Sequence, residues 1–135
     1  MYLVFVYGTL KRGFANHDEW MTPFKYIADG KTYDKFPLIV GGAYYSPILL
    51  NEQGNGHIVK GEFYEVDDDE LATLDIIEGV RKAGGYERIS IAALSGNVKL
   101  KAWIYVKDRV DVEAIHNELN GEYKPDARYI PDAQR

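Results

Sequence analysis

The sequence predicts an α+β fold built on a mixed sheet that can curl into a barrel, and three observations carry that reading. The run Leu3 to Tyr7 is apolar on both of its faces, as a central strand is. Residues 86–94 and 98–106 flank Ser95-Gly96-Asn97 in the manner of a hairpin. The elements follow the order strands, helix, strands, helix, and no repeat, low-complexity stretch or linker divides them. Residues 1–135 therefore read as a single domain, long enough for one core and too short for two.

Taken in order, the strand at 3–7 breaks into a loop with glycines at Gly8 and Gly13, after which Asn16 caps a short helix reaching Met21. Residues 26–33 and 36–45 read as weaker strands separated by Asp34-Lys35, the second interrupted by Pro37 and Gly41-Gly42. Residues 51–56, NEQGNG, are a turn. A strand resumes over 57–66 with Val59, Gly61 and Phe63 on one face. Residues 67–79 give the first well-signalled helix: Asp67 or Asp68 caps it, the following acids suit its positive end, and Gly79 stops it. Residues 81–85 form a mobile connection to the hairpin. A second helix is expected over 111–120, with Val112, Ile115 and Leu119 on one side and Gly121 as its stop. The tail EYKPDARYIPDAQR is irregular.

Composition narrows the function classes. A net charge of −5 argues against a broad nucleic-acid surface, and the pairs Lys11-Arg12 and Arg81-Lys82 are too short for a phosphate stripe. The absence of cysteine removes disulfides, thiolate nucleophiles and sulfur-ligated metals. No run reaches the length of a membrane span, and Tyr2 to Tyr7 is too short for a signal peptide. A soluble, cytoplasmic protein is expected. The eleven tyrosines against five phenylalanines supply polar tips to a wet pocket or to the edge of a β core, and both uses stay open.

Gly8 and Gly13 have the GxxxxG spacing of a phosphate loop, but the Lys and Ser/Thr that should follow are Phe14 and Ala15, so that reading fails. A glycine at a strand end still frees backbone N–H groups to hold a carboxylate or an oxyanion, or makes an ordinary tight turn. Glu78 shares a helix face with Leu71 and Leu74. An acid on an apolar stripe at the negative end of a helix has its pKa raised by desolvation and by the dipole, which suits a proton carrier. The alternative is a partly exposed helix-end glutamate. Asp67, Asp68, Asp69 and Glu70 read as a cap and a solvated turn. His17, His57 and His116 lie in separate segments without ligand spacing, so no metal site is expected. No serine occupies a nucleophile elbow.

Together FVYGTLKRG, Asn16-His17, LDIIEG at 74–79, YER at 86–88 and RYIPDAQR at the tail resemble the gamma-glutamylcyclotransferase-like family, most closely its gamma-glutamylamine cyclotransferase branch. The likeness runs from Val4 to Arg135. It implies a small mixed β-barrel flanked by two or three helices and a cofactor-free enzyme that releases 5-oxoproline from a small gamma-glutamyl substrate. Glu78 then matches the catalytic acid/base, and Tyr7, Gly8, Thr9 and Leu10 match the substrate-binding loop, with Tyr86 and Tyr129 near the pocket. One departure is the Gly79 to Gly85 connection, longer than the amine-specific branch leads one to expect, which leaves the leaving group open. Two other readings stay open: a binding module that keeps the pocket for a gamma-glutamyl or 5-oxoproline ligand, and an enzyme acting on another gamma-glutamyl compound. No nucleic-acid or membrane partner is expected. The oligomeric state is left open, with a monomer favoured.

Overall fold

In the computed structural model, which describes all 135 residues, the opening apolar run becomes β1 (Tyr2–Val6). The chain continues through α1 (His17–Trp20), β2 (Lys25–Phe36), β3 (Leu38–Gly41), β4 (Ser46–Leu49), β5 (His57–Val66), α2 (Asp68–Ile77), β6 (Glu87–Ser95), β7 (Val98–Val106) and β8 (Ile115–Glu118). Single 3-10 turns lie at Arg109–Asp111 and Asp132–Gln134. Five strands close a barrel in the order β1-β5-β2-β6-β7, with β1 parallel to β7 and the other neighbours antiparallel. The remaining three form a separate antiparallel sheet, β4-β3-β8. A mixed barrel flanked by helices is thus the observed architecture. No helix is long and apolar enough to cross a membrane.

Side chains of β1 alternate between two buried clusters. Phe5 joins Val59, Phe63, Ala93 and Ile104 in one, where Phe5 and Phe63 meet edge to face at 5.1 Å. Val4 and Val6 join Tyr64, Val66, Leu71 and Leu74 in the other, so α2 docks through the face that its apolar spacing marks. Burial on both sides is why this strand reads as continuously apolar. The first turn of α2 is held by a capping box: the Glu70 N–H donates to Asp67 (2.8 Å) and the Asp67 N–H donates to the Glu70 carboxylate (2.9 Å). Gly79, at φ +67°, ends the helix one residue beyond Glu78. The chain returns through bonds from Lys82 N to Gly79 O (2.9 Å), Gly85 N to Lys82 O (3.0 Å) and Tyr86 N to Glu78 O (3.1 Å). The connection expected to be mobile is therefore a chain of closed turns, and a side chain at Gly85 would collide with the Gly79 carbonyl.

Three expectations need correction. Asp34-Lys35 does not separate two strands, because β2 runs unbroken from Lys25 to Phe36. The buried Thr32 hydroxyl donates to Asp34 O (2.6 Å) and accepts from Val59 N (3.0 Å), holding a register shift against β5 between Lys31 and Lys35. The strand expected over 36–45 is instead the end of β2, then β3 and the turn that leads from it into β4. That turn includes Gly42 at φ +75° and Tyr45 at φ +54°. The helix expected over 111–120 is absent. A 3-10 turn and β8 take its place, and β8 pairs with the free edge of β3 (Ile39↔Glu118, Val40↔Asn117). Val112 and Leu119 still find apolar clusters, Val112 beside Ile39 and Ile48, Leu119 against the barrel cluster. Three apolar residues at helical spacing did not outweigh an open sheet edge.

Candidate active site

Tyr7, Gly8, Thr9, Leu10, Glu78, Tyr86 and Tyr129 all line one cavity of about 710 Å³. Five parts of the fold build it: the loop after β1, the end of α2, the β3–β4 hairpin, the end of β7 with the segment that follows it, and the C-terminal tail. The loop is shaped by Lys11 N donating to Gly8 O (3.1 Å), Asn16 N donating to Thr9 O (3.0 Å) and the His17 ring bonding Leu10 O (2.9 Å). Its carbonyls are thereby occupied. The N–H groups of Gly8, Thr9 and Leu10 meet no protein acceptor, which leaves three donors at the wall of the cavity.

Gly8 has a second physical reason. Its φ lies outside the left-handed region, yet a Cβ here would stand 2.7 Å from Cγ of Pro47 on β4. The glycine lets the loop pack against the hairpin as well as approach a ligand.

Glu78 stands as the C-cap of α2, half-buried, with no hydrogen bond stabilising its charged form. Burial pushes its pKa up, the Asp132 carboxylate adds to the rise, and Lys107 partly offsets it, leaving a value of about 7. Such a carboxyl takes up and releases a proton at neutral pH. Asp132 comes from the tail, so Asp132→Asn should move the Glu78 titration to lower pH, because it removes a negative charge that favours the protonated form. Carbon-detected NMR titration of the Glu78 carboxyl checks this; a value unchanged or raised contradicts the arrangement.

The tyrosines are struts. Tyr7 donates to Tyr105 O (2.8 Å) and accepts from Leu49 N (3.2 Å), which ties the loop to β7 and β4. Tyr86 donates to Pro47 O (3.1 Å). Burial pushes both phenols up, so both remain donors. Asn16, part of the motif that carries the resemblance, is expected from its position as a helix cap. Its side chain makes no capping bond and instead donates to Thr9 Oγ1 (2.9 Å) and to the Tyr129 hydroxyl (2.7 Å), coupling loop to tail.

Sequence reasoning did not single out Lys107, Asp132 or Arg135, all of which line the cavity. Arg135 pairs with Asp132 (2.7 Å), donates to Ile130 O (3.0 Å) and lies 4.0 Å over the Tyr44 ring. The tail motif RYIPDAQR was visible as a pattern, but only folding brings it to Glu78.

A family model described as gamma-glutamyl cyclotransferase, AIG2-like, matches residues 4–125. A gamma-glutamylaminecyclotransferase of Mus musculus is 44% identical over 132 residues, covering 95% of this chain and 84% of the relative. One of Rattus norvegicus is 45% identical over 80 residues, covering 56% of this chain and 54% of the relative. The crystal structure of an AIG2-like protein from Mus musculus superposes with a TM-score of 0.79 at 30% identity, covering 100% of this chain and 99% of that one.

Proposed function

The chain belongs to the gamma-glutamyl cyclotransferase, AIG2-like family, and from that premise we propose that it releases 5-oxoproline and a free amine from a gamma-glutamylamine, with Glu78 as general acid/base. The substrate class follows the name of the mouse relative. The observation that carries the reading is Glu78, poised near pH 7 in the same cavity as the three unpaired N–H groups of the loop.

The substrate supplies its own nucleophile. Its α-amine nitrogen attacks the γ-carbonyl carbon, closing a five-membered ring through a new C–N bond. Glu78 takes the proton released from the attacking nitrogen. The carbonyl oxygen becomes an oxyanion, for which the N–H groups of Gly8, Thr9 and Leu10 are donors. Collapse of the tetrahedral centre breaks the original amide C–N bond, and Glu78 returns the proton to the departing amine. Folding a flexible chain into attack geometry supplies up to about 7–11 kcal/mol of the barrier. Tyr7, Tyr86 and Tyr129 keep the walls fixed while this happens.

Product analysis with gamma-glutamylamines, gamma-glutamyl amino acids and glutathione tests the reading. Release of 5-oxoproline supports it and identifies the leaving group. Release of glutamate marks a hydrolase, and absence of turnover marks a binding module. The proton transfers need one carboxylate and backbone dipoles, and no three His, Asp or Glu side chains gather to hold a metal ion. Turnover should therefore survive exhaustive chelation unchanged; activity lost to chelation and restored by Zn²⁺ or Mn²⁺ would overturn this mechanism.

A further inference from the structure

Two cations line the cavity, and they differ in kind. Arg135 already has a counter-ion: it pairs with Asp132, donates to Ile130 O and lies over the Tyr44 ring. Lys107 has none. Its ammonium pairs with no carboxylate and donates no hydrogen bond within the protein, and its only close polar contact is the face of Tyr86, 4.6 Å from the ring centre. Its backbone is nonetheless held from both sides: Lys107 N donates to Leu49 O (2.9 Å), and Asn51 N donates to Lys107 O (2.9 Å). A half-buried ammonium carried on a fixed backbone and lacking a counter-ion gains one when an anionic ligand enters the cavity.

Lys107 and Glu78 influence each other's charge, yet they do not close into an ion pair. Both remain available to a third group. In the reaction proposed above, the amine that yields its proton to Glu78 sits on the same carbon as the substrate's α-carboxylate. A base and an ammonium without a counter-ion, both lining one cavity, match those two substituents of one carbon. The geometry points to Lys107 as the residue that binds the α-carboxylate of the gamma-glutamyl unit, leaving the N–H groups of Gly8, Thr9 and Leu10 to the oxyanion. Asp111 also faces Lys107 and tempers its burial without pairing with it.

This inference rests on the cyclotransferase reading, and the test separates the two. Calorimetry compares the binding of 5-oxoproline with that of its uncharged carboxamide, neither of which requires turnover. The parent protein should prefer the acid by about ten- to a hundredfold, the reach of a hydrogen bond to a charged group. Lys107→Met should lose that preference while binding the carboxamide as the parent does, and Lys107→Arg should keep most of it. A Lys107→Met protein that still prefers the acid overturns the assignment. So does one that loses both ligands equally while Lys107→Arg loses neither, since the lysine then shapes the cavity and does not read the carboxylate. A parent that shows the preference but forms no 5-oxoproline from any gamma-glutamyl compound contradicts the cyclotransferase reading alone.

Discussion

Glu78→Gln should lower turnover by about two to four orders of magnitude, the usual reach of lost general acid–base catalysis. The substitution nearly preserves shape and removes only the proton capacity, so 5-oxoproline affinity should remain within a few-fold of the parent's. Stability supplies an independent readout with a definite sign. The Glu78 pKa is about 7 in the folded protein, against about 4.3 for an unperturbed glutamate in the unfolded chain. The folded state thus holds the proton more tightly, and ionising Glu78 at high pH works against folding. Below the unfolded value the carboxyl is protonated in both states, and parent and variant should melt together. Above about 7 the penalty is complete, and the variant should be the more stable by on the order of 1–3 kcal/mol. Glu87→Gln is the matched control, an exposed residue at the start of β6 that does not line the cavity. Near-parental turnover in Glu78→Gln, or loss of turnover in Glu87→Gln, would require a different proton carrier.

Gly8→Val should close the site from the loop side. The first atom of the new side chain falls 2.7 Å from Pro47 Cγ, and the two γ-methyl groups add to the overlap. Loop and hairpin must separate, at a cost of about 1–3 kcal/mol of stability for an overpacked contact. The larger effect falls on binding. Pro47 carries the carbonyl that receives the Tyr86 hydroxyl, and the loop carries the unpaired N–H groups, so one displacement disturbs two walls. Affinity for 5-oxoproline should fall more than a hundredfold in a protein that still unfolds cooperatively, on the order of 3 kcal/mol by the affinity scale. Binding at the parent's level by folded Gly8→Val would mean that the loop is not the ligand's cradle. Gly8→Ala, with the single offending carbon, should fall between the two.

Local signals that depend on near neighbours were legible in the chain. β5 spans the 57–66 anticipated for it, and the α2 cap, its Gly79 stop and the β6–β7 hairpin lie where capping and turn chemistry place them. Glu78 was visible as an acid on the face of Leu71 and Leu74, because helical spacing is itself local. The sequence around Gly8 also marked a place where backbone approaches something closely. It did not reveal that Pro47 is one of the things approached, because that contact joins residues 39 positions apart.

What only the tertiary structure decided depends on partners distant in sequence. Val112, Ile115 and Leu119 carry the period of a helix, yet the free edge of β3 offered backbone hydrogen bonds that made residues 115–118 a strand. Asp34-Lys35 looks like a break, but the hydroxyl of Thr32 bonded to Val59 of another strand absorbs the irregularity within β2. The electrostatics of the site belong to the same class. Proximity to Leu71 and Leu74 told of burial, the main cause of the raised Glu78 pKa, while the charges that adjust it, Asp132 and Lys107, arrive from the tail and from the end of β7. Periodicity and turn chemistry act over a few residues and are written into the chain. The charges around one carboxyl, and the cation left without a counter-ion in the same cavity, are fixed only when the barrel closes and brings distant residues within Coulombic reach.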